Sequence, residues 1–194
     1  MKVSRKAELS GMAYELGMDF DPKPSFPDIK LLSAFKLFKH GHSKKITNQF
    51  QRSDEQLESK AQIFDYQYTI QAGNTPVTKR QTVCFIQSKQ LELPIFYLRP
   101  ETWIDRFKQY LGWEDIDFVH YPDFSKKYYL SGEMEELVRE LFKDDVLHYF
   151  TLKDGWHVEG IGFFLIIYRD GKLLNADSIR LINKIGIDIF QLFK

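Results

Sequence analysis

One cysteine stands in 194 residues. Cys84 has no partner within the chain for a disulfide, which fits a reducing compartment, and it reads as a small buried apolar residue. Long apolar runs are missing as well. The longest nearly continuous one, residues 161–168, is far short of the roughly 20 residues a membrane helix needs. The basic start Met1-Lys2-Val3-Ser4-Arg5-Lys6 is not followed by the apolar stretch of a secretory signal. Neither sign of charge is in excess. With 27 basic residues against 27 acidic ones, no global field draws the protein to nucleic acid, and binding to any anionic surface must come from a local patch. The expectation is a soluble, cytoplasmic protein, peripheral at most to the inner face of the membrane.

Chemical motifs are also absent. Gly160 and Gly162 sit in a hairpin pattern rather than before a helix, so no phosphate-cradling loop is formed. Asp123-Phe124-Ser125 lacks elbow glycines and an adjacent base, which leaves serine chemistry unsupported. His40 and His42 have a spacing used by some metal sites. They lack a third ligand and are flanked by Lys39, Lys44 and Lys45, and cations repel a metal. The reading therefore assigns no catalytic residue, no metal and no cofactor.

Aromatic residues, by contrast, are abundant: 17 Phe, 10 Tyr and 3 Trp. Such a chain has ample material for a packed interior. Residues 63–70 alternate so that Phe64, Tyr66, Tyr68 and Ile70 project from one face of a strand, and Arg80–Ile86 form a second strand beyond a Gly73-Asn74 turn. Residues 46–52 and 93–98 continue the meander. Helical spacing follows Ser4 through Leu9, Met12, Ala13 and Leu16, with Gly17 as the stop. Pro100 opens a helix carrying Trp103, Ile104, Phe107 and Leu111. Met134, Leu137, Val138, Leu141 and Phe142 predict the clearest amphipathic helix, and Ile179, Ile182, Ile185, Ile189 and Leu192 line the last one.

These elements predict an α+β fold. Its sheet is mainly antiparallel, and helices near 101–111, 133–149 and 177–193 pack on one face. From residue 116 the order strand, strand, helix, strand, strand, helix suggests a ββα pseudo-repeat. The length suits one domain over 1–194, or two tightly packed subdomains: 1–99, a helix plus β-meander, and 100–194, an αββαββα unit.

The one concentrated basic patch is Lys36, Lys39, His40, His42, Lys44 and Lys45. It reads as a turn able to meet an anionic membrane or a protein partner, each cation near an anionic bilayer contributing about 1 kcal/mol. His157 and Glu159 alternate on a strand and read as a surface pair.

Four fragments together resemble a family of small bacterial proteins: Ile63–Thr69 with Arg80–Val83, Phe96–Glu101, Ile116–Phe118 with Phe124–Tyr128, and Trp156–Gly160. The resemblance covers roughly residues 7–170. Members often carry a hydrophobic N-terminal anchor and a basic run where Lys36–Lys45 stands here. The resemblance implies no activity for any residue, and the anchor is not seen in this sequence. The reading is a non-enzymatic binding or interaction module. The alternative is an enzyme whose site forms only in the fold, from Asp65, Arg99, Glu101 and Glu159.

Overall fold

The computed structural model describes residues 5–24, 32–56, 58–101 and 115–194. The expected helix through Trp103 and Leu111, together with Ser4, Lys30, Trp113 and Glu114, lies outside them.

After α1 (Arg5–Glu15) come β1 (Asp19–Asp21), the single-turn helix α2 (Lys36–Lys39), β2 (His42–Asp54), β3 (Ser59–Ala72), β4 (Thr75–Ser88) and β5 (Leu93–Pro100). The second half holds α3 (Pro122–Lys127), β6 (Tyr128–Gly132), α4 (Glu135–Leu141), α5 (Asp144–Thr151), β7 (His157–Gly162), β8 (Phe164–Tyr168) and α6 (Ala176–Phe193). The strands form an eight-stranded sheet in the order β1-β2-β3-β4-β8-β7-β5-β6. Every pairing is antiparallel. β5 pairs with β6 and β7, not with its sequence neighbour β4.

Alternation divides the strand residues between two cores. Ile63, Cys84, Ile86, Leu98, Val158 and Ile167 face α1 and α6 along with Leu9, Met12, Ile182 and Ile189. Phe64, Tyr66, Tyr68, Val83, Phe85, Ile166 and Tyr168 face the other way. On that side Leu32, Phe35, Leu37 and Phe38 cover them. The rings of the central hairpin thus fill an interior, as their period-two spacing predicts. The helical residues of 133–149 and 177–193 share one core, and α2, a further short helix, covers the other face. Sheet residues apolar on both sides need a cover on both sides.

Three further elements differ from expectation. Residues 116–118 are irregular and 119–120 form a turn, while 122–127 form α3, because Pro122 suits the first helical position. The first of the two presumed ββα units therefore has one strand, β6, where two were expected. The helix expected over 133–149 is broken. Phe142 leaves helical geometry at φ −87° and ψ 64°, and α5 starts after Lys143. The break lets Val138 and Phe142 enter the core from one helix and Val146, Leu147 and Phe150 from the next, while Met134 and Leu137 stay exposed. Finally, α6 begins at Ala176, one residue before the expected 177, and Asn175 caps it, its Oδ1 accepting from Ser178 N at 2.9 Å.

Candidate functional site

Three surfaces hold the polar residues of interest. The first is the sheet face beneath α2. The β5–β7 and β7–β8 registers set Tyr97 beside Glu159 and His157 beside Tyr168. Glu159 is 2% exposed, so the surface pair expected with His157 is corrected: the carboxylate is buried. Its Oε2 accepts from Lys36 N at 2.6 Å, and its Oε1 accepts from Leu37 N at 3.1 Å and from the Tyr168 hydroxyl at 3.1 Å. The side chain of Phe35, the residue preceding α2, offers no cap. Glu159 supplies it from across the fold, where the free amides and helix dipole favour an anion. Burial raises the Glu159 pKa, and the two amides and Tyr168 pull it back.

Around this carboxylate, Lys36 Nζ lies 4.6 Å from the Tyr97 ring centre and Arg99 lies 4.2 Å from that of Tyr129. His157 stacks on Tyr168 at 4.8 Å, with the Tyr97 hydroxyl 3.4 Å from its Nδ1. Burial depresses the His157 pKa to about 4. The sequence pointed to His157 and Glu159 by alternation. Tyr97 and Tyr168 were missed, since an aromatic strand residue looks the same whether its hydroxyl is used or not.

On the opposite face lies Asp65. It accepts from Arg5 Nε at 3.1 Å, Arg5 Nη2 at 3.0 Å, Asn48 Nδ2 at 2.9 Å and Thr82 Oγ1 at 2.8 Å. Asn48 reaches it from a β2 bulge at positive φ, 52°. The four residues of the alternative enzyme set therefore do not converge. Asp65 and Glu159 are on opposite faces, each consumed by internal hydrogen bonds. Arg99 is stacked on Tyr129, and Glu101 lies beyond β5, its amide donating to Lys127 O at 2.8 Å.

The second surface is the basic segment, which the structure splits. Lys36 turns inward to Tyr97 and Glu159. Lys44 Nζ donates to Phe38 O at 2.6 Å, closing the end of α2. His40 caps α2 and so does not share a strand with His42, whose Nδ1 meets Ser43 Oγ at 2.9 Å. Lys39, His40, His42 and Lys45 are exposed. Among the described residues no group of three potential ligands is placed to hold a metal. Register adds what the sequence hid: Lys45 pairs with Gln67, and Gln67 with Arg80, in one cross-strand row. The basic segment thus sits at the sheet end that carries the β3–β4 turn.

The third surface is an open groove of about 1010 Å³ between residues 117–121 and α4–α5. Phe118, Tyr121, Phe142 and Leu147 give it an apolar floor, with Arg139 and Lys143 at its side. Val119, on its rim, is 89% exposed. The groove is open to solvent rather than enclosed.

Neither a protein-family model nor a curated protein matches the chain. The structure is similar to the crystal structure of the mycobacterial trehalose monomycolate transport factor A, TtfA, with a TM-score of 0.60 and 10% sequence identity, over 100% of this chain and 98% of that one. At that identity the likeness shows a shared α+β fold. Among the described residues no helix is long and apolar enough to cross a membrane.

Proposed function

We propose that this chain is a non-enzymatic binding module that docks on an anionic membrane surface and serves in the handling of membrane lipid. The observation that carries the reading is the gathering of exposed cations at one end of the sheet, where Lys39 and Lys45 make no ion pair among the described residues. The fold similar to a transport factor named for a mycobacterial lipid supports the same reading. So does the use of the buried acids: Glu159 holds α2 and Asp65 holds α1, which leaves neither carboxylate free for proton transfer.

Flotation with phosphatidylcholine vesicles, with and without anionic lipid, tests it. The wild-type chain floats with the anionic vesicles. Lys39→Glu with Lys45→Glu lowers the partition at least tenfold, since each cation contributes about 1 kcal/mol. Lys44 is left intact because it closes α2. Equal partition into both vesicle types would discard the reading.

A further inference from the structure

The β2 bulge leaves a recess of about 190 Å³ at the basic end of the sheet, lined by Arg5, Asn48, Asp65, Gln67, Arg80 and Leu173 among others. Asp65 would repel an anion, but Nε and Nη2 of Arg5 already neutralise it, and Asn48 and Thr82 occupy its remaining lone pairs. Arg80 is placed differently. Its Nε donates to Gln67 Oε1 at 2.9 Å, which orients the guanidinium plane. Its terminal nitrogens meet no acceptor among the described residues. Lys45 stands two strands away in the same row, also without an ion pair.

The recess therefore combines a neutralised floor with one oriented guanidinium fork, and Lys45 lies outside its lining, two strands along the same row. With Arg5 and Asp65 cancelling, Arg80 leaves a surplus of one positive charge in the lining, and its planar fork suits phosphate oxygens better than a lone ammonium does. We infer that this recess binds a phosphate monoester group, either free or as the head of a lipid. The lipid source rests on the membrane reading; the site itself does not.

Vesicles carrying phosphatidic acid or phosphatidylserine at equal surface charge separate headgroup recognition from general attraction. The wild-type chain prefers phosphatidic acid by about tenfold, the increment of one good charge-assisted contact. The ratio falls to near one in Arg80→Lys, which keeps the charge and loses the fork. Arg80 is exposed, so the variant keeps its fold, and its melting temperature checks this. A wild-type ratio near one, or a preference that survives in both Arg80→Lys and Arg80→Gln, overturns the site. Calorimetry with inorganic phosphate distinguishes the sources. Phosphate binding that Arg80→Lys abolishes, with no vesicle partition by the wild type, assigns the recess to a free anion and sinks the membrane reading alone.

Discussion

Glu159 shows how a single buried side chain decides whether an element stays in place. Glu159→Ala leaves two amides and a tyrosine hydroxyl without an acceptor inside the protein. An orphaned buried donor costs about 1–3 kcal/mol, so the expected loss in chemical denaturation is about 3 kcal/mol or more. Glu159→Gln keeps an acceptor and removes the buried charge, so it costs less than half as much. Equal losses for the two variants would show that the cap is not what matters. Its neighbour His157 supplies a pH dependence. Its folded pKa, about 4, lies below the ordinary 6.5, so the unfolded chain binds the proton first. The stability from its neutral ring is full above pH 6.5 and is lost as pH falls towards 4, a contribution on the order of 3 kcal/mol. Asp115, raised to about 6 by burial, and Glu159, also raised, act in the opposite sense. Their stabilisation is present in acid and fades as pH rises. The comparison that isolates the histidine is wild type against His157→Gln between pH 7 and pH 4.5. The wild type loses more stability over that interval, and parallel profiles would contradict the assignment.

At the scale of elements, α6 crosses the sheet closely because Gly186 lacks a side chain. A methyl there meets Cys84 Sγ at 2.9 Å and Ile86 Cδ1 at 3.4 Å. Gly186→Ala gains about 1 kcal/mol of helix propensity but crowds a filled core, which costs about 1–3 kcal/mol. The expected net effect is a loss that disappears in a Cys84→Ala background. Additive behaviour in that double-mutant cycle would place the crowding elsewhere. Burial also pushes the Cys84 thiol up to about 12, so a disulfide reagent reacts with it only after unfolding. This contact was invisible in the sequence, which displays the apolar stripe of α6 but not the strand it crosses. Period-two alternation exposed Phe64, Tyr66 and Tyr68, and helical spacing exposed Ile179, Ile182, Ile185 and Ile189, because both patterns are local. The break after Leu141 was hidden, since Met134 and Leu137 fit the helical template while lying outside the core. The candidate residues followed the same division. Lys36 to Lys45 were legible as a charged run. Arg80 and Arg5, 35 and 40 residues from Lys45 in the chain, are brought to the same sheet end only by register and tertiary contact.

For the whole molecule, the sheet is apolar on both faces, and its polar groups are used to fasten α1 and α2 over those faces. At one end of that sheet Lys39, His40, His42 and Lys45 are exposed. With 27 acidic and 27 basic residues in the chain, attraction to an anionic surface is directional and local, and salt screens it within about 10 Å at 0.1 M. Salt dependence of vesicle binding is therefore the most direct test. The account predicts that partition of the wild-type chain into anionic vesicles falls steeply between low and physiological salt, and that Lys39→Glu with Lys45→Glu flattens that fall. Partition that ignores salt, or a double variant with the wild-type slope, contradicts it.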